Sequence, residues 1–133
     1  MVTDPIADLL TRIKNGGLAR KPVIRIPYSV FKEDILKVLA DQGFIASYAV
    51  EADGKKKNLS VWLKYRPNST RSVIQAVEIK SRASQRIYVT QQDLKRLIRG
   101  RQKIGILSTS QGVISHRDAL RKRVGGELLA VIW

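Results

Sequence analysis

Apolar residues recur along this chain with two different periods, and the change from one to the other decides the class of fold. Ile6, Leu9, Leu10 and Ile13 stand at i, i+3, i+4 and i+7, the stripe of a single helix face. Asp4-Pro5 precedes them. Proline is preorganised for the first helical position and drives its neighbour out of the α region, so Asp4 reads as the N-cap. Gly16-Gly17 reads as the stop. Arg12 and Lys14 fall off the stripe, towards solvent or a ligand. A short strand is expected at Val23–Pro27. Ser29 then caps a second helix carrying Val30, Phe31, Ile35, Leu36, Val38 and Leu39, which Gly43 ends.

After that helix the period drops to two. Residues 44–50 read as a strand, Asp53-Gly54 as a hairpin turn and residues 59–65 as the returning strand. Leu59, Val61, Leu63 and Tyr65 alternate with Ser60, Trp62 and Lys64, so one face belongs to a core. The order to this point is α-β-α-β-β. Pro67-Asn68-Ser69-Thr70 is the most convincing linker, and it divides the chain into one domain over 1–66 and a second over 67–133. The second half carries strand patterns at 73–80 and 86–89, then a short helix from Thr90 with Asp93 placed for a capping box. Leu94, Leu97 and Ile98 are expected to face inward and Lys95, Arg96 and Arg99 outward. A strand at 104–107, a loop of small residues at 108–112, a basic helix over 115–123 and a last strand over 127–133 complete it. The class is α+β, in two halves.

Composition limits the partners. Hydrophobic residues make up 44% of the 133 residues, enough to bury a core, and no apolar run approaches the roughly 20 residues that cross a bilayer. The opening Met1-Val2-Thr3-Asp4-Pro5 resembles neither a secretory n-region nor a transit peptide. These features lead us to expect a soluble protein used where it is made, with no membrane partner. The absence of cysteine excludes disulfides, thiolate metal sites and cysteine nucleophiles. Against 11 Asp and Glu stand 25 Lys and Arg, a net charge of +14. Self-repulsion on that scale points to a polyanionic partner, and to nucleic acid before a membrane, because no basic amphipathic segment stands out as an anchor. The excess is uneven: residues 1–66 carry net +5 and residues 67–133 net +9, with eight basic residues against Asp93 alone between Lys80 and Lys103.

Signals for catalysis are weak. His116 is the single histidine, so it has neither a cysteine nor a second histidine to complete a metal site or a nucleophilic pair. Directly after the N-cap Ser115, it is expected to be an exposed first-turn residue. Gly125-Gly126 precedes a strand and lacks the following helix that a phosphate cradle needs. The expectation is therefore no enzyme, no metal, no cofactor and no small-molecule substrate.

Ser108-Thr109-Ser110-Gln111-Gly112 is the richest local feature. Three hydroxyls, a carboxamide and a glycine offer dense donors and acceptors with little bulk. Such groups suit the shallow minor groove of an RNA helix, where 2′-hydroxyls and base edges are displayed. A plain turn between strands fits equally well. Lys80, Arg82, Arg86, Lys95, Arg96 and Arg99 in the same half favour binding. Tyr88, within a basic stretch, fits either a stacking platform or a core tyrosine.

At this point two blocks of sequence take the reading further. Residues 4–15, Asp-Pro-Ile-Ala-Asp-Leu-Leu-Thr-Arg-Ile-Lys-Asn, resemble the opening of the universal S-eight family of small-subunit ribosomal proteins. So do Leu107-Ser108-Thr109-Ser110-Gln111-Gly112-Val113 and the later Val124-Gly125-Gly126-Glu127-Leu128-Leu129. The similarity runs the length of the chain, through Gly43-Phe44-Ile45 and Arg86-Ile87-Tyr88. The ending Val131-Ile132-Trp133 is similar to the bacterial or organellar branch. Membership implies two small α/β domains packed together, the first α-β-α-β-β and the second mixed, mostly β with short helices. It implies binding to the central domain of small-subunit ribosomal RNA early in assembly, at an irregular helix with an internal loop. Neighbouring small-subunit ribosomal proteins would be partners, as would the operon's own mRNA in members that repress their translation. The setting would be the cytoplasm, or an organelle with its own ribosomes. On this resemblance Ser108, Thr109 and Ser110 enter the groove, Tyr88 packs nearby and Glu127 holds the loop. Thr3, Asp4, Pro5, Arg12 and Asn15 set the first helix against an adjacent RNA segment. Two departures stand out: Gln111 replaces the family's usual lysine, and Arg101-Gln102-Lys103-Ile104 replaces a Gly-hydrophobic-Gly run. The negative charge of Glu127 in an RNA site would be accounted for by hydrogen bonds accepted from local backbone or hydroxyl groups.

Overall fold

The helical stripe forms α1 (Pro5–Leu18), which buries Ile6, Leu9, Leu10 and Ile13. The computed structural model describes residues 5–69, 71–82 and 84–133, so Thr3 and the expected cap Asp4 lie outside the described residues. Gly16 and Gly17 do not stop the helix; they sit inside it, buried. A Cβ on Gly16 would lie 2.8 Å from Ile24 Cγ2, and one on Gly17 would lie 2.8 Å from Ser72 Oγ. The glycines are there for close packing. Termination falls to Arg20, held at φ 58°, whose N–H donates to the Gly17 carbonyl while that of Lys21 donates to Gly16. This double bond pattern is the Schellman cap, with arginine in the left-handed position that glycine usually fills.

β1 (Val23–Pro27), α2 (Val30–Asp41), β2 (Ile45–Asp53) and β3 (Lys56–Leu63) follow, which is the expected α-β-α-β-β order. The strands form an antiparallel sheet in the order β1-β3-β2. The Ser29 hydroxyl accepts from the Lys32 N–H to cap α2. Leu9, Leu10, Ile13, Ile26, Ile35, Leu36, Leu39, Leu59 and Val61 are all buried in this part of the chain. Each Leu or Ile so buried stabilises by about 1.5–3 kcal/mol. Alternation in β3 holds for Leu59, Val61 and Leu63, but Ser60 is buried as well, with its hydroxyl unpartnered.

Contacts divide the chain into two compact units, one of which is Pro5–Gln75. The other, Ala76–Trp133, holds β4 (Val77–Ile79), β5 (Tyr88–Val89), α3 (Gln91–Leu97), β6 (Ile104–Thr109), β7 (Gly112–Ser115), α4 (His116–Lys122) and β8 (Gly126–Ile132). Its antiparallel five-stranded sheet runs β4-β8-β6-β7, with β5 also paired to β8. The strands expected over 73–80 and 86–89 shrink to β4 and β5. Between them the chain folds on itself: Arg82 and Gln85 exchange backbone hydrogen bonds, and Ser81 Oγ accepts from the Ile87 N–H at 2.8 Å. The loop expected at 108–112 narrows to a tight turn, because Gly112 already begins β7, a strand whose four residues lack a readable alternation.

Val89, Leu94, Ile98, Leu107, Ala119, Leu128 and Val131 form the core between the sheet and its helices. Leu97, expected inside, is 55% exposed, since α3 ends there and Ile98 already lies outside helical geometry at φ −116°, ψ 99°. The capping box is as expected: Asp93 N–H donates to Thr90 Oγ1 and Thr90 N–H to the Asp93 carboxylate. Those bonds, with Arg96, hold the Asp93 carboxyl below the usual carboxylate range.

Candidate nucleic-acid interface

β8 gathers the key residues into one row. Its Glu127 pairs across one edge with Tyr88 of β5 and across the other with Ser108 of β6. Directly opposed residues in an antiparallel ladder share a face. Tyr88, Glu127 and Ser108 therefore stand opposite to Val89, Leu107 and Leu128, which enter the core beneath the helices. This arrangement depends on a register shift in which Ile106 pairs with Ala130 but Leu107 with Leu128. The extra residue, Leu129, lies in β8; without the bulge Ser108 would stand opposite Leu128 and not Glu127.

The glycine pair lets β8 enter between its neighbours. A Cβ on Gly126 would lie 2.4 Å from the Ser108 carbonyl oxygen, and one on Gly125 would lie 2.5 Å from that of Val89. Backbone atoms cannot yield to such contacts, so only glycine allows β5 and β6 to approach from both sides.

Of the two settings open to Tyr88, the exposed one is observed: its side chain is 73% accessible. Glu127 is largely covered and lies 3.1 Å from the Arg86 guanidinium, which is itself exposed. The expected backbone or hydroxyl partners of Glu127 thus give way to an arginine 41 residues earlier. No local pattern in the sequence announces a pair so far apart.

The turn from Thr109 to Gly112 closes β6 and β7, and it divides its own hydroxyls between two tasks. Thr109 Oγ1 donates to the Gly112 carbonyl at 2.9 Å and accepts from the Gln111 N–H at 3.1 Å. Gly112 takes φ +101°, which only glycine adopts without strain. Ser110 and Gln111 form the exposed tip. Thr109 shapes the turn, and the side chains of Ser108, Ser110 and Gln111 take no part in these bonds.

The Ala76–Trp133 unit carries much positive charge on its surface. Lys95, Arg96, Arg99, Arg117, Arg121 and Lys122 are exposed on or beside α3 and α4. Two residues near the unusual 101–104 segment are engaged locally: Lys103 lies 4.7 Å over the Trp133 ring, and the Arg117 guanidinium donates to the Arg101 carbonyl. Among the other sequence candidates, Pro5, Arg12 and Asn15 belong to the Pro5–Gln75 unit. Arg12 pairs with Asp8 at 3.3 Å. With Asn15, Lys21 and Arg25 it lines a cavity of about 580 Å³.

His116 differs from expectation. It is buried, 5% exposed, and its Nδ1 accepts a hydrogen bond from the Gly105 N–H at 2.9 Å. Burial, and secondarily Arg117, push its pKa below the ordinary histidine value. Gly105 permits this packing, since a Cβ there would lie 3.3 Å from the His116 Cβ. Among the described residues no group of three or more His, Cys, Asp or Glu could hold a metal ion, and no helix is long and apolar enough to cross a membrane.

Comparison with known proteins shows the family. A family model described as Ribosomal protein S8 matches residues 4–133. The small ribosomal subunit protein uS8 of Solibacter usitatus is 41% identical over 133 residues, 100% of both chains. That of Mycoplasma mobile is 43% identical over 133 residues, 100% of this chain and 98% of the relative. That of Dictyoglomus thermophilum is 42% identical over 132 residues, 99% of this chain and 98% of the relative. An α+β chain that matches a family model from residue 4 to residue 133, and relatives over their full length, belongs to the ribosomal protein S8 family.

Proposed function

We propose that this chain is a structural, non-enzymatic component of the small ribosomal subunit. It binds small-subunit ribosomal RNA at an irregular helix with an internal loop, through the Ala76–Trp133 unit, and so helps the subunit to assemble. The observation that carries this reading is the row Tyr88, Glu127, Ser108 beside an exposed Ser110-Gln111 tip. Small hydroxyls fit a minor groove, an exposed phenol ring stacks on an unpaired base or sugar, and the unit's exposed Lys and Arg supply salt-dependent attraction. Arg86 neutralises Glu127, so the row does not repel phosphate.

The test is affinity for a short RNA helix with an internal loop against a fully paired helix of equal length, across a salt series. We expect about a tenfold preference for the looped RNA, with Ser110→Ala losing on the order of 1–3 kcal/mol and leaving the salt slope nearly unchanged. Equal affinity for both RNAs, unaffected by the substitution, overturns this reading.

A further inference from the structure

A second concentration of charge lies in the Pro5–Gln75 unit, at the carbonyl end of α1. A cavity of about 490 Å³ there is lined by Lys14, Arg20, Arg66 and Arg71, together with the neutral Ser72 and Gln75. No carboxylate lines it among the described residues. None of the four cations is in an ion pair there either, whereas Arg12, Arg25, Arg86, Arg96 and Arg121 each hold one. The negative pole of the α1 dipole is equivalent to about half a charge, which does not balance four cations.

Two features of the backbone show that this charge is kept at a cost. Arg20 occupies the left-handed position of the α1 Schellman cap at φ 58°, while the matching cap of α2 uses Gly43 at φ 80°. Arginine there gives up conformational ease and sets its side chain at the cavity. Arg66 and Arg71 face one another across a short antiparallel strip next to the Tyr65–Ser72 bridge, with the Arg66 N–H donating to the Arg71 carbonyl. Like charges in that relation repel. Gly17 holds the two parts together, because its missing Cβ leaves room for Ser72.

We infer that this cavity binds the phosphodiester backbone of a second RNA segment, separate from the one met by the Ser110 hairpin. Three of its four cations are arginines, whose planar forks suit phosphate oxygens. Ser72 and Gln75 add neutral donors. The inference rests on RNA being the chain's ligand, and it deepens that reading: the protein bridges two segments, one recognised by shape and one held by charge.

The test uses full-length 15N-labelled protein saturated with the short looped RNA, to which decauridylate is added. The Gly17, Ser72 and Gln75 amides should shift saturably. Arg20→Gly and Arg71→Gln should each weaken decauridylate binding about fivefold and lower its log–log salt slope by about 0.7. Affinity for the looped RNA should change less than about twofold. Arg20→Gly should also keep or raise the melting temperature, since glycine suits the cap, so lost binding is not lost folding. Amides that stay still, or variants that bind decauridylate like wild type, overturn the inference. Hexaglutamate moving the same amides with equal affinity also overturns it, in favour of an acidic protein segment. A looped helix bound no better than a paired one, with those amides still moved by decauridylate, overturns the hairpin reading and supports the cavity.

Discussion

Arg86 and Glu127 stand 41 residues apart in sequence and 3.1 Å apart in space, guanidinium against carboxylate. The arginine is exposed and the carboxylate mostly covered, so the pair places a neutralised anion under a cation that still has free N–H groups. On the proposed function, truncating the arginine would leave Glu127 facing RNA phosphates with nothing to balance it. Arg86→Ala should therefore weaken looped-RNA binding more than Glu127→Gln does. The double variant should recover part of the loss, with a coupling energy of about 0.5–3 kcal/mol in a double-mutant cycle. Strict additivity would show that the pair does not act as a unit.

The turn separates shape from contact, and two substitutions can expose this. Thr109→Val keeps the side-chain outline but removes both hydrogen bonds that close the turn. It should lower unfolding free energy by about 0.5–1.5 kcal/mol in denaturant titrations. Ser110→Ala touches an exposed tip and should leave stability within about 0.5 kcal/mol of wild type, while RNA affinity falls. Equal stability losses in the two variants would contradict this division.

Gly126→Ala forces a methyl group against the Ser108 carbonyl. Overpacking of this kind costs about 1–3 kcal/mol, and here it also pushes β6 away from the row. Chemical denaturation should show the loss, and RNA binding should fall with it. Preserved RNA affinity in the folded variant would mean that the spacing of β8 and β6 does not matter for recognition.

Histidine chemistry enters as pH-dependent stability. Burial depresses the pKa of His116 in the folded state, so below about pH 6.5 the unfolded chain binds a proton that the folded chain refuses. Stability contributed by the neutral ring is present above that pH and is lost as pH falls towards the depressed value. Denaturant midpoints measured from pH 7.5 down to 5.5 should decline for wild type. His116→Asn keeps an acceptor for the Gly105 N–H without a titrating ring and should flatten the decline. An identical slope in both proteins would remove His116 from the account.

Legibility followed the range of the interactions. The α1 stripe and the Thr90–Asp93 capping box were readable because every partner lies within one or two helical turns. Gly16 and Gly17 were misread as a stop because the atoms that require them, Ile24 and Ser72, come from other segments. His116 was misplaced because the partner of its ring, the Gly105 N–H, comes from a strand 11 residues earlier. At the candidate site, the small polar turn was visible in composition alone. The row of Tyr88, Glu127 and Ser108 was not, since it depends on a one-residue bulge in strand pairing.

The place of β8 in its sheet has a consequence in time. It is flanked by β6 on one edge and by β4 and β5 on the other, all of which precede it in the chain. As the polypeptide is made from its amino end, those strands wait unpaired on that side until residues 126–132 have emerged. Pro5–Gln75 has every strand of its own sheet by residue 63 and is free to settle first. The sheet that carries the Ser110 hairpin is thus the later part of the molecule to exist, and on the proposed function no RNA is read by shape until synthesis has passed β8.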